Sequence, residues 1–120
     1  MEDINTIYYN DLGIAFKWKR CAAKDFNKIQ LVFKNTGLFL TQKELIQFSK
    51  NIEQTFSKIK ANHSKLNNDI YSLFLLEAPN AHISFTMTFS ELKKIQDLIT
   101  KTLFLLGLNS ILKKQNVKHN

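Results

Sequence analysis

The chain has 120 residues and a mass of 14.0 kDa, which fits one domain; two independent cores would each hold about 60 residues, near the lower limit for folding unaided. It is 44% hydrophobic and 22% charged, with ten Phe, three Gly and one Pro, which excludes disorder and Gly/Pro-rich repeats. A single cysteine excludes an intramolecular disulfide scaffold and a Cys-based zinc site without three further ligands. The net charge is +7, yet sixteen of the seventeen basic residues are Lys and only Arg20 is Arg. With twelve Asn and twelve Ile, that usage matches an AT-rich coding bias. The scarcity of guanidinium forks argues against specific base-edge readout in nucleic acid.

The start of the chain, MEDINTIYYND, carries no basic segment followed by an apolar run, so no signal peptide is expected. The longest apolar run, Leu103 to Leu106, falls far short of the roughly 20 residues that span a bilayer. The chain reads as cytoplasmic, and a free thiol suits that compartment.

Residues 1–12, polar except for Ile4, Ile7, Tyr8, Tyr9 and Leu12, read as an entry segment or a short strand. From Gly13, Ile14, Phe16 and Trp18 alternate with Ala15, Lys17 and Lys19, the period-2 pattern of a half-buried strand. After a loop from Arg20 to Asn27, Ile29, Leu31 and Phe33 alternate with Lys28, Gln30 and Lys34. Asn35-Thr36-Gly37 has turn chemistry, and Leu38-Phe39-Leu40 returns as a strand. Thr41 and Glu44 form a capping box before an apolar helix stripe of Leu45, Phe48, Ile52, Phe56 and Ile59.

Residues 60–69 read as a loop, and Ile70 to Leu76 as a strand. Pro79-Asn80 supplies a turn, and Ile83, Phe85 and Met87 form a further strand. Thr88 and Glu91 repeat the capping box, followed by the stripe Leu92, Ile95, Leu98/Ile99, Thr102 and Leu103. Gly107 suits a helix C-cap, with Leu108 packing back on Leu103. The expected fold is α+β: a mainly antiparallel sheet of 5–6 strands, two long helices on one face, order β-β-β-α-β-β-α. Residues 1–107 form the domain and 108–120 a basic, partly disordered tail. Leu40-Thr41-x-x-Glu44-Leu45 and Met87-Thr88-x-x-Glu91-Leu92 match at an offset of 47 residues, which suggests a ββα unit used twice about a pseudo-two-fold axis; convergence on a common helix start is the alternative.

Tyr8-Tyr9, the Trp18/Cys21 segment, IQLVFKN (29–35), FLLEAP (74–79) and FTMTFSELKKI (85–95) together resemble a family of small Bacteroidota proteins, a domain-of-unknown-function group of about this length. Some members of that group carry a C-x-x-C in the loop before the IQLVF strand. Only Cys21 stands there, so any metal role that pattern serves in the group is not carried over to this chain, and the group has no established activity to transfer.

Catalytic patterns are absent. His63, His82 and His119 have no acidic residue at helical spacing on an expected helix, and there is no H-E-x-x-H, G-x-S-x-G or Gly-rich phosphate loop. Arg20 and Lys24 flank Cys21, as basic residues do at reactive thiols, but a bystander thiol is the simpler reading. Glu44 and Glu91 are explained by capping. No cofactor is expected.

Two surfaces stand out. Residues 13–34 hold Lys17, Lys19, Arg20, Lys24, Lys28 and Lys34 against Asp25 alone, and the tail adds Lys113, Lys114 and Lys118. This is either a phosphate-backbone or acidic-partner surface, or a row of lysines that guards a strand edge. Phe16 and Trp18 share a strand with these lysines but point oppositely, and they read as core. If helices cover the face with Phe16, Leu31 and Phe33, the other face carries Lys17, Lys19, Gln30, Val32, Phe39, Phe74 and Leu76. Val32, Phe39, Phe74 and Leu76 then form a candidate interaction face, unless Ile4 to Tyr9 folds over it. The expected function is a small non-enzymatic interaction or regulatory module that self-associates. The alternative is nucleic-acid binding by the basic hairpin 17–34 and the tail.

Overall fold

The computed structural model describes residues 3–61, 72–80 and 82–107. Four strands precede the first helix: β1 (Ile4–Tyr9), β2 (Gly13–Trp18), β3 (Ile29–Phe33) and β4 (Thr36–Leu40). They form one antiparallel sheet in the order β1-β2-β3-β4. Helix α1 (Gln42–Ala61) leads to a hairpin of β5 (Phe74–Glu77) and β6 (Ser84–Met87), and α2 (Phe89–Leu106) closes the described chain. A one-turn 3-10 helix, Ala23–Asp25, lies between β2 and β3.

The α+β class and the two helices agree with the sequence reading; the single sheet of five or six strands does not. Among the described residues, β5 and β6 pair only with each other, so the six described strands divide into a four-stranded and a two-stranded sheet. The proposed ββα repeat is not seen either, since four strands precede α1 and two precede α2. Ile70, Tyr71, Leu108 and the tail lie outside the described residues.

Strand register decides which side chains meet the helices. Ala15 lies opposite Leu31, and Leu31 opposite Leu38. Alternation places Ala15, Ile29, Leu31, Phe33, Leu38 and Leu40 on the helix side, where all but the half-buried Leu38 are buried. Leu45, Phe48 and Ile52 of α1 and Leu92, Ile95, Leu98, Ile99 and Leu103 of α2 complete this core. Phe33 makes an edge-on ring contact with Phe85 at 5.1 Å, which joins the hairpin to the main sheet. Gly13 is required for close strand approach: a Cβ there would fall 2.1 Å from the Val32 carbonyl oxygen.

Asn51 of α1, which is buried, donates to the carbonyls of Glu77 (3.0 Å) and Ala78 (3.2 Å) and so docks β5 on the helix. On the opposite side, Asn10 holds the β1–β2 turn by accepting from the Leu12 and Gly13 amides. Its Nδ2 donates to the Lys94 carbonyl (2.8 Å) and to Asp97 Oδ2 (3.0 Å), and the Tyr8 hydroxyl donates to the same oxygen at 2.7 Å. The turn is thereby pinned to α2.

Both helix starts are capped as the sequence indicates. The Thr41 amide donates to Glu44 Oε1 (2.8 Å), and the Glu44 amide donates to Thr41 Oγ1 (3.1 Å). The Thr88 amide and Glu91 Oε1 (2.9 Å) and the Glu91 amide and Thr88 Oγ1 (3.1 Å) repeat the arrangement. Gly107 sits in the left-handed region (φ 77°), with its amide on the Leu103 and Phe104 carbonyls.

Thr41→Ala and Thr88→Ala should each lose about 0.5–2 kcal/mol in chemical denaturation, because an N-terminal amide loses its acceptor. Unchanged midpoints in both variants would show that these hydroxyls do not cap. A second expectation concerns acid. Hydrogen bonds from Asn10 and Tyr8, with Lys101 beyond them, hold the Asp97 carboxyl below its usual value against the opposing effect of burial. A depressed folded pKa stabilises the fold above the carboxylate's unfolded pKa. That contribution disappears as pH falls through the lowered value. In acid titrations monitored by circular dichroism, Asp97→Asn should flatten stability against pH in this range.

Candidate functional site

The face of the four-stranded sheet that points away from the helices is made by the remaining set of alternating residues. Thr6 lies opposite Phe16, Phe16 opposite Gln30, and Gln30 opposite Phe39. Ile4, Tyr9, Ile14, Trp18, Val32 and Gly37 share that face by register. None of these ten residues is charged. Trp18 is 42% exposed, Phe39 38% and Tyr9 70%, whereas Phe16 is buried. Trp18 stands edge-on to Phe16 at 5.1 Å and donates from Nε1 to Gln30 Oε1 at 3.1 Å, which holds the indole against the sheet.

This corrects the sequence reading in two ways. Phe16 and Trp18 are not on the helix side; the small Ala15 is, so that α2 can pack close to β2. Lys17 consequently lies on the helix side, paired with Asn5 on β1. The interaction face of Val32, Phe39, Phe74 and Leu76 is also divided. Val32 and Phe39 lie on the open face, but Leu76 is fully buried and Phe74 packs against the core from the separate hairpin. The β1 strand does not fold over the open face. It pairs edge-on with β2 and extends the sheet.

The basic residues 17–34 also separate. Lys19 and Arg20 are exposed just after β2. Lys34 turns toward the start of α2, where its ammonium donates to the Thr86 carbonyl (3.1 Å) and lies 3.4 Å from Glu91 Oε1. The Glu91 carboxyl is held below its usual value, first by the Thr88 amide and then, against burial, by Lys34. Lys24 and Lys28 do stay together. With Lys43 at the start of α1, they line an open cavity of about 340 Å³. No acidic residue lines it among the described residues. Lys28 also pairs with Asp25 at 3.0 Å and places its ammonium 5.1 Å from the Phe39 ring centroid. The basic cavity therefore adjoins the open face. Only tertiary structure brings Lys43 to Lys24, since 19 positions separate them.

Cys21 and His82 are exposed, and His63 and His119 lie outside the described residues. Among the described residues, no three His, Cys, Asp or Glu side chains are grouped to hold a metal ion, and no helix is long and apolar enough to cross a membrane. Comparisons with family models, curated proteins and solved structures find no match to this chain.

The turn between β3 and β4 is Lys34-Asn35, not Asn35-Thr36-Gly37, and Gly37 is a strand residue. Lys34 has a positive φ of 54°, a conformation costing a side-chain-bearing residue about 1–2 kcal/mol. Lys34→Ala keeps that cost and loses the ammonium contacts, whereas Lys34→Gly loses both. Thermal unfolding should find the Gly variant about 1–2 kcal/mol more stable than the Ala variant.

Proposed function

We propose that this chain is a small non-enzymatic interaction module that self-associates through its four-stranded sheet. The observation carrying this reading is the open face: two helices are packed on one side, and an uncharged surface with Trp18, Phe39 and Tyr9 exposed is left on the other. No strand residue of that face is charged, and the Lys28 ammonium reaches it only at its β4 border, over Phe39, which leaves the rest of the face suited to apolar contact. A second copy of the chain offers the same uncharged surface and needs no desolvated ion pair.

Binding of single-stranded nucleic acid is the second reading. The Lys28 ammonium over Phe39, beside a cavity shared with Lys24 and Lys43, places phosphate-binding charge next to exposed rings. The two readings differ in their response to salt. Self-association of like-charged copies strengthens as salt screens their repulsion. Nucleic-acid affinity falls, with a log–log slope of about 0.7–0.9 for each phosphate contact.

Sedimentation equilibrium at tens of micromolar should show a mass above the 14.0 kDa monomer, increasing with concentration and with salt. A clean 14.0 kDa species under all these conditions overturns self-association. Trp18, the chain's single tryptophan, supplies a fluorescence signal for titration with a single-stranded oligonucleotide. Binding that survives 150 mM salt and is lost on replacing Lys24, Lys28 and Lys43 by Gln would favour the second reading.

A further inference from the structure

We infer that two copies of this chain join through β4, edge to edge, to form one continuous eight-stranded sheet. The inference rests on the self-association reading above but places the contact at the β4 edge of the sheet, with the open-face ring of Phe39 reaching across it, and not between two open faces. Among the described residues the two sheets have four outer edges, and unprotected edges recruit other strands. Three of the four carry a blocking device. β1 is interrupted by a register shift between Thr6 and Tyr8, which leaves Ile7 bulged. β5 lies on α1, with the Glu77 carbonyl taken by Asn51. β6 has its Thr86 carbonyl taken by the Lys34 ammonium.

Among the described residues β4 has no register shift, and the Gly37 and Phe39 carbonyls accept no side-chain hydrogen bond; the Lys28 ammonium stands over the Phe39 ring instead. The β4 sequence, Thr36-Gly37-Leu38-Phe39-Leu40, has no charge and no proline, and its register with β3 runs unbroken from Thr36 to Leu40.

The ladder also dictates how a second β4 fits. The turn has two residues, and Phe33 and Thr36 close it, so they form a hydrogen-bonded pair. Alternation then directs the N–H and C=O groups of Thr36, Leu38 and Leu40 toward β3, and those of Gly37 and Phe39 outward. An antiparallel second copy with the two-fold axis at Leu38 sets Gly37 opposite Phe39 and Phe39 opposite Gly37. Each of these two pairs exchanges two backbone hydrogen bonds, four in all, and every outward group of the strand centre is satisfied. Leu38 meets its symmetry mate at the short spacing of a non-hydrogen-bonded pair, on the helix side. On the open side, the Phe39 ring of each copy covers Gly37 of the other, an aromatic ring over an edge glycine. Space is available, since only Gln30 Nε2 lies within 4 Å of a Cβ built at Gly37. The pairing is isologous and closes as a dimer.

Hydrogen exchange on the unmodified protein, followed by NMR across a concentration series, tests this directly. The Gly37 and Phe39 amides should gain protection together as the dimer forms in sedimentation. Phe39→Pro removes two of the four hydrogen bonds while sparing the β3 ladder. It should weaken association about tenfold or more, whereas Phe39→Ala, which retains the amide, should weaken it less. Trp18→Ala, two strands away, should change association less than about twofold. If the protein dimerises but the Gly37 and Phe39 amides exchange freely, or if Trp18→Ala disrupts the dimer and Phe39→Pro does not, the β4 pairing is overturned and face-to-face association stands. A monomer at every concentration overturns the self-association reading itself.

Discussion

The position of Ala15 opposite Leu31 is the constraint on which the rest of the molecule depends. A sheet has period two, so a slip of one residue would exchange every inward and outward side chain. With Ala15 inward, the helix side of β2 carries Gly13, Ala15 and Lys17, a line of small residues ending in a charge. That leaves room for α2 to lie across β1 and β2. The Tyr8 and Asn10 bonds to Asp97 then fix the helix to the hairpin turn and oppose a change of register. The larger side chains of β2, Ile14, Phe16 and Trp18, are displaced outward as a consequence.

The helices, their starts and most strands were legible because each rests on local chemistry. A capping box satisfies neighbouring amides wherever it occurs, and an apolar stripe at spacings of three and four has one way to be buried. Leu45, Phe48 and Ile52 on α1 and the full stripe of α2 are buried accordingly. The facing of β2 was not legible. Its alternation shows that Phe16 and Trp18 share a side, but bulk alone suggests the inward one. Close packing selects by shape, and here the small side faces the helices. The turn at Lys34-Asn35 was missed because Lys is a poor residue for positive φ; its ammonium contacts across the fold offset a locally unfavourable conformation.

Charge was similarly redistributed by tertiary structure. Six basic residues between 17 and 34 read as one patch in sequence, yet they divide among a helix-side strand position, an exposed segment after β2, the α2 start and the cavity by α1. Only at the cavity does the structure increase local positive charge, by adding Lys43 to Lys24 and Lys28. Sequence proximity measures charge along the chain, whereas a binding partner encounters the field across a surface.

The division of six strands into four and two connects these observations. One six-stranded sheet would expose two edges; two sheets expose four. The extra edges require protection, and several polar side chains that look unremarkable in sequence supply it. Asn51 is a buried polar residue of α1, and its amide covers the end of β5. Lys34 leaves the basic cluster to cover β6. The bulge at Ile7 distorts β1. Each device costs something locally, whether a buried amide, a strained φ or an irregular ladder. A fold that spends three such features on edges and leaves the regular, uncharged β4 without one treats that edge differently from the others. Solubility alone would favour a lysine at Gly37 or Phe39. A strand kept bare is instead the arrangement that permits another strand to pair with it.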